Sequence, residues 1–296
     1  MMDGENNNKI DYDIILSVAK EAAQSAGSVI RKVMLTPKSE KSIVNKSSSV
    51  DLVTETDKKC EELITNLLRS KFPEHKLIGE EDMGTDGKYV LTNDPTWTID
   101  PIDGTTNFVH RLSLCCVLIC FLIEKIPVVS VTYDPMSKEI FWAIKGRGAF
   151  MTNCEGITHT ISVSDTTSIP NAVLSMDAGY GRDEEEVNKY CSVQSAILRK
   201  RVRHIRVIGV CGLSMAYVAC GRLDAGFEEG SWELNCGPKI WDFSGGKLLV
   251  EEAGGVTRDI TDRISKDNEL DLMQRSVFSA CSSELATELL DIIYDC

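Results

Sequence analysis

Between Trp97 and Phe108 the chain reads Trp-Thr-Ile-Asp-Pro-Ile-Asp-Gly-Thr-Thr-Asn-Phe. Trp97-Thr-Ile99 has the aromatic and β-branched character of a strand. The strand is expected to end at Asp100, turn through Pro101 and present a second carboxylate, Asp103, three residues later. Gly104-Thr105-Thr106-Asn107 then opens toward the next element. Two acids on one rigid turn can face a single point, where they repel unless a cation lies between them. Oxygen ligands of this kind suit Mg²⁺ or Mn²⁺. Gly104 and the two threonines add backbone N–H groups without bulk, a natural cradle for phosphate at a helix start. An Asp-Gly pair alone is a common surface turn. Two Asp, a Pro and Gly-Thr-Thr-Asn together exceed what a turn requires.

The rest of the chain is compatible with such a site. With 296 residues, at about 150 residues per domain, roughly two structural halves are expected. Hydrophobic residues make up 43% and charged residues 26%, which excludes a disordered chain, a collagen-like chain and a small disulfide scaffold. The net charge of −13 makes nucleic acid and anionic membrane poor partners. A phosphate substrate would then need a local positive charge, and a carboxylate-held metal supplies one. The basic stretch Arg199-Lys-Arg201-Val-Arg203-His204 reads as a helix end followed by a strand start. The eleven cysteines are odd in number and include no C-x-x-C, and the four histidines lack metal-ligand spacing, so zinc is not expected. Reduced thiols in a cytoplasmic protein fit better. The polar, acidic start MMDGENNNKI is not a secretory signal. The longest apolar stretch, Leu114 to Ile123, is too short to span a bilayer.

Periodicity sets the element order. Residues 1–9 read as a flexible tail. Apolar residues at helical spacing (Ile14, Ile15, Val18, Ala22, Ala26, Val29, Ile30, Val33) predict a first helix over 12–34. A second runs from 56 to 70 with Leu63, Ile64, Leu67 and Leu68 inward. Lys76-Leu-Ile78 is a short strand. The apolar runs 115–123, 128–133 and 139–144, joined by short links, predict antiparallel hairpins. Beyond residue 170, strands at 173–176, 203–207, 224–227, 256–259 and 276–280 alternate with helices at 184–199, 211–220, 243–252 and 284–294. That alternation predicts layered α/β sheets. The best boundary between halves lies near 152–170, dividing one domain, 10–296, into sub-halves of about 10–155 and 156–296.

Two further segments carry acids. Gly79-Glu80-Glu81-Asp82 follows the 76–78 strand, and Trp241-Asp242-Phe-Ser-Gly245-Gly246 opens an apolar helix that ends at Glu252-Ala-Gly-Gly255. Taken alone, the first is a solvated loop and Asp242 is a helix N-cap. Gly245 and Gly246 lower helix stability, which suggests a close approach of the backbone to a neighbour.

Together these three segments, in this order, resemble the inositol monophosphatases of the lithium-sensitive, Mg²⁺-dependent phosphatase superfamily. The resemblance covers about residues 12–290 and includes Lys46-Ser-Ser-Ser-Val-Asp-Leu-Val-Thr-Glu-Thr-Asp57. The string Ile-Asp-Gly-Thr-Thr-Asn-Phe-Val-His is close to the inositol monophosphatase form, which the fructose-bisphosphatase and nucleotidase branches vary. The resemblance implies an αβαβα sandwich, usually as a homodimer, and hydrolysis of myo-inositol monophosphate with Mg²⁺ (or Mn²⁺), inhibited by Li⁺. It implies that Glu80, Asp100 and the Ile102 carbonyl hold a first metal, and that Asp100, Asp103 and Asp242 hold a second. Glu80 would help with a third, with Lys46 nearby. Thr105, oriented by Asp57, would help activate water, and Gly104 and Thr105 would contact phosphate through N–H groups.

The family's inositol-contacting Gly-Thr-Ala segment corresponds here to Gly209-Val210-Cys211, a departure. The family's later Glu falls at Glu228, with Glu233 a rival, because the stretch from 228 to 242 is longer than in the animal form. A sugar-phosphate or nucleotide phosphatase on the same scaffold is the alternative, and a catalytically silent binding homologue a more distant one. The chain shows no Ser/His/Asp set. No cysteine is followed six residues later by arginine, as a Cys phosphatase loop requires.

Overall fold

The computed structural model describes residues 10–36, 43–45, 52–82, 89–179, 181–233, 235–260 and 270–296, with 43–45 and 52–54 as backbone only. The expected tail and Lys46 lie outside these residues. Helix α1 spans Tyr12–Leu35, its N-terminus capped by Asp11, whose carboxylate accepts the Asp13 and Ile14 N–H groups. The alanine-rich face (Ala19, Ala22, Ala23, Ala26) is buried with Ile15, Val18 and Ile30, whereas Ile14 points to solvent. Short strands β1 (Ile43–Asn45) and β2 (Leu52–Thr54) pair antiparallel and lead into α2, Glu55–Lys71. On α2, Ile64 and Leu68 face inward, but Leu63, expected inward, is exposed. Its angular position falls off the narrow apolar stripe of this otherwise polar helix.

The first sheet contains β3 (Lys76–Gly79), β4 (Thr96–Asp103), β5 (Cys116–Ile123), β6 (Ile126–Asp134), β7 (Glu139–Ile144), β8 (Ala149–Thr152) and β9 (Thr158–Ile161) in chain order. Helix α3, Thr105–His110, interrupts it after β4. β3 and β4 are parallel and every later pair is antiparallel. The hairpins β5–β6 and β6–β7 agree with the short links in the sequence. Strands β8 and β9 are additional to the predicted set. Their residues (Ala149-Phe-Met-Thr and Thr158-His-Thr-Ile) are too short and too mixed to show a period.

The second sheet comprises β10 (Val173–Met176), β11 (His204–Arg206), β12 (Ala225–Glu228), β13 (Val256–Arg258) and β14 (Val277–Ala280), in the order β11-β10-β12-β14-β13. Helices α4 (Glu184–Arg199), α5 (Cys211–Ala219), α6 (Ile240–Glu252) and α7 (Ser283–Asp295) alternate with these strands. Helices α1 and α2 cover one face of the first sheet, α5 and α6 lie between the sheets, and α4 and α7 cover the outer face of the second. This is the expected αβαβα layering.

Helix α6 is apolar nearly all round because it has a sheet on both sides. Burying Trp241, Phe243, Leu248 and Leu249 contributes about 1.5–3 kcal/mol per side chain. That outweighs the roughly 1 kcal/mol that each helical glycine costs. A Cβ on Gly246 would collide with the Met215 side chain of α5, so that glycine permits the helix–helix contact. The eleven cysteines are free thiols. Among the described residues no helix is long and apolar enough to cross a membrane.

Candidate active site

The carboxylates singled out from the sequence converge where the C-terminal ends of β3 and β4 meet α5 and α6. Contrary to expectation, β4 does not stop at Asp100 but continues to Asp103. Asp100 lies opposite Leu118 of β5 and Asp103 opposite Cys116, so β4 spends one more residue than its partner over this stretch. Pro101 has no N–H to donate to the ladder, which favours such a bulge. The bulge matters for the chemistry. In a regular strand, residues three apart face opposite sides. One extra residue resets that parity and turns both acids toward the helices between the sheets.

Asp242 is the third residue of α6 rather than its N-cap. Its Oδ2 accepts the Lys239 N–H at 2.5 Å, which closes the first turn with a carboxylate. Asp100 Oδ1 accepts the Ile102 N–H at 2.9 Å. Asp103 Oδ2 accepts the Gly212 N–H at 2.6 Å and the Cys116 thiol at 3.7 Å. Cys116, expected to act only as a small hydrophobe, is therefore a hydrogen-bond partner of a site acid.

Burial raises the carboxyl pKa values of Asp100 and Asp103 well above the ordinary range, reinforced at both by the charges of Glu80 and Asp242 and at Asp100 also by Asp103. Burial and Glu80 push Asp242 up to about 6. Like charges about 4 Å apart at an effective dielectric of about 20 repel by about 4 kcal/mol, so this cluster is strained when fully ionised. A hard divalent cation fits it by donor chemistry: all donors are oxygens, and a cation removes the repulsion. Among the described residues no three His, Cys, Asp or Glu side chains close to metal-ligand spacing, so the fit rests on charge and donor type.

Thr105 begins α3, with Gly104 before it in the left-handed region (φ +88°). A Cβ on Gly104 would lie 2.7 Å from Val210 Cγ2. The Thr105 hydroxyl lies 3.3 Å from Asp57 Oδ1 and 3.1 Å from the Ile102 carbonyl. Asp57 is wholly buried in the first turn of α2.

On the other side, the segment before α5 is strapped from two directions. Gly209 N–H donates to Asp177 Oδ1 at 2.7 Å, and Asn107 Nδ2 donates to the Ile208 carbonyl at 2.9 Å. Cys211 opens α5, its thiol pushed up by burial and by the charges of Glu228, Asp103 and Asp242. Burial followed by Asp177, Asp242 and Asp103 raises Glu228 likewise. Glu233 instead sits on an exposed turn, its N–H donating to Ser231 Oγ. Glu228 thus joins the acids, and Glu233 does not.

The sequence profile of the Inositol monophosphatase family matches residues 11–296. The chain belongs to the inositol monophosphatase family. It is 42% identical over 262 residues to Inositol monophosphatase 3 of Solanum lycopersicum, covering 88% of this chain and 90% of that one. It is 37% identical over 280 residues to Inositol monophosphatase 1 of Sus scrofa, covering 95% and 92%. Among solved structures, the inositol monophosphatase from Anabaena aligns with a TM-score of 0.75 at 27% identity over 97% of each chain. The extragenic suppressor protein suhB of Bartonella henselae aligns with a TM-score of 0.79 at 25% identity, over 95% of this chain and 98% of that one.

In this inositol monophosphatase family member, several residues around the site carry no motif signal. Arg275 is buried and donates to the Pro238 and Gly237 carbonyls and to Asn235 Oδ1. It thereby ties down the long 229–239 stretch, which Ser231 and Cys236 close as a bridge. Tyr89 packs between Trp232 and Trp241, and its hydroxyl accepts the Ile240 N–H at 3.4 Å. Glu61 and Asp177 each accept backbone N–H groups from segments that carry site residues. No sequence spacing marks these residues, because each acts across a long stretch of chain.

Proposed function

We propose that this chain is a Mg²⁺-dependent phosphomonoesterase that hydrolyses myo-inositol monophosphate to myo-inositol and phosphate. The observation that carries the proposal is the meeting of Asp100, Asp103 and Asp242, under the charge of Glu80, beside the Thr105–Asp57 pair. Family membership and relatives bearing the name inositol monophosphatase support it. Glu80, Asp100, the Ile102 carbonyl, Asp103 and Asp242 would hold the metal ions. Bound Mg²⁺, or Mn²⁺, would supply positive charge to the phosphate and leaving oxygens and make water more acidic.

The chain's own groups do the positioning. The Thr105 hydroxyl donates a hydrogen bond to Asp57 or to the Ile102 carbonyl, which leaves an oxygen lone pair free to accept from the attacking water and orient it. Asp57, wholly buried, accepts from that hydroxyl. The Gly104 and Thr105 N–H groups face the phosphate. Gly209, Val210, Cys211 and Glu228 border the alcohol side, where Glu228 would engage ring hydroxyls. The free thiols fit a reducing compartment, and we assign the protein to the cytoplasm as a homodimer.

The test is phosphate release from myo-inositol 1-phosphate, fructose 1,6-bisphosphate and adenosine 3′,5′-bisphosphate, each with and without Mg²⁺ and Li⁺. Mg²⁺-dependent, Li⁺-sensitive turnover of the inositol ester is expected. Turnover of another ester alone would keep the metal chemistry and overturn the substrate. Val210, Cys211 and the clamped 229–239 stretch favour that second outcome over any other alternative.

A further inference from the structure

Helix α2 carries a buried carboxylate that the proposed chemistry does not use. Glu61 is 3% exposed and lies one helical turn beyond Asp57, on the same face. Its two oxygens accept different amides. Oε2 accepts the Glu81 N–H at 2.9 Å, and Oε1 accepts the Asp82 N–H at 2.8 Å. These amides follow Glu80 directly in the chain. The Glu80 N–H itself donates to the Ile99 carbonyl of β4 at 3.1 Å. The turn that carries Glu80 is therefore anchored to β4 on one side and to α2 on the other.

Gly79 completes the fit. A Cβ there would lie 2.7 Å from Glu61 Cδ and Oε1, so the backbone closes on the carboxylate with no room for a side chain. The placement is electrostatically unfavourable, because Asp82 and Glu81 bring their own negative charges to a buried acid. An apolar side chain would satisfy packing at this position. Only an acceptor with two separate oxygens satisfies both amides.

We propose that Glu61 is the positioning residue for Glu80, clamping the turn 79–82 so that the Glu80 carboxylate faces Asp100 and Asp242. The proposal rests on the assignment of Glu80 as a metal ligand and extends it to the residue that aims it. Groups that orient metal ligands typically change metal affinity by about 10–100-fold when altered.

The test compares three variants with the wild type. Glu61→Gln keeps the volume but turns one acceptor into a donor facing an N–H. Gly79→Ala strains the same clamp from the turn side. Ile64→Val thins the core on the same helix without touching the clamp. Mg²⁺ affinity is read by calorimetry on the substrate-free protein, together with the Mg²⁺ concentration for half-maximal phosphate release. Glu61→Gln and Gly79→Ala should each weaken Mg²⁺ binding about tenfold or more, with KM for the ester nearly unchanged, while Ile64→Val binds as the wild type does. Wild-type affinity in folded Glu61→Gln, or in Gly79→Ala should Glu61→Gln not fold, would overturn the proposal. An equal loss in Ile64→Val would also overturn it, because the effect would then be general loosening. A wild type that binds Mg²⁺ but releases no inositol would overturn the substrate assignment and leave the affinity comparison decisive for Glu61. A wild type that binds no Mg²⁺ would overturn both.

Discussion

Asp103 Oδ2, at the end of β4, accepts the N–H of Gly212, the second residue of α5, at 2.6 Å. This bond joins an acid of the first sheet to a helix of the second half, and it requires a glycine. A Cβ at 212 would lie 2.5 Å from Leu118 Cδ2 and 3.0 Å from Asp103 Oδ2. Gly212→Ala should therefore destabilise the fold by about 1–3 kcal/mol through overpacking and move Asp103, lowering kcat. Urea unfolding together with turnover at saturating Mg²⁺ reads both effects. A variant with wild-type stability and wild-type kcat would contradict the geometry.

Asp242→Asn separates charge from shape. The amide oxygen can still accept the Lys239 N–H, and one of the mutually repelling buried charges is gone. The metal-free protein should be at least as stable as the wild type, with an unchanged circular dichroism spectrum. Turnover should fall by about a hundredfold or more, the scale seen when a charge-stabilising group is removed. Near-normal activity would sink the assignment of Asp242 as a metal ligand.

Arg275 donates from all three of its nitrogens to the 229–239 stretch, and its guanidinium lies 4.8 Å from the Trp232 ring centroid. Lysine cannot reproduce that fork. Arg275→Lys leaves carbonyls of Gly237 and Pro238 without their donors, at about 1–3 kcal/mol for each buried group left unpaired. Stability should fall by about 2 kcal/mol or more, and trypsin should cut faster at Lys239. Unchanged cleavage kinetics would show that the stretch is held by something other than this arginine.

His75 should make stability fall in mild acid. Its ring lies between Phe72 and Phe121, at 4.9 Å from each, and Nδ1 accepts the Trp97 indole N–H at 3.1 Å. Burial lowers its pKa below 6.5, so the unfolded chain binds the proton more readily than the folded one. The neutral ring's contribution is complete above about pH 6.5 and is lost progressively as the pH falls below it. His75→Gln keeps an acceptor for Trp97 and cannot charge, so its urea midpoint should drop less between pH 7.5 and pH 5.5. Equal drops in both proteins would exclude His75 as the source.

The sequence shows most of the architecture because most elements are locally encoded. The predicted 12–34 helix is α1 within a residue, and the strand at 173–176 and the helix at 184–199 match β10 and α4 end for end. Spacing of apolar residues survives in the two helices because each has one sheet to face. It fails for β8 and β9, which are short edge-side strands, and for Leu63, which propensity cannot assign to a face. Asp100 and Asp103 stand out because Pro101 and Gly104 follow them within one turn, whereas Glu80 and Asp242, unremarkable alone, join the set only through the family resemblance.

From the chain alone come most of the helices and strands, the expectation of oxygen-donor chemistry, and the acids that could supply it. Short-range sterics and hydrophobic periodicity act within a few residues and are written into composition and order. Tertiary structure alone decided that Asp100 and Asp103 share a side, because the bulge at Pro101 depends on pairing with β5. It alone brought Asp242 to them, buried Glu228 among the acids while leaving Glu233 on an exposed turn, and joined Glu61 and Arg275 to distant segments. Those outcomes depend on hydrogen bonds and buried charges between parts of the chain that no local pattern relates, and folding settles them only when the layers close.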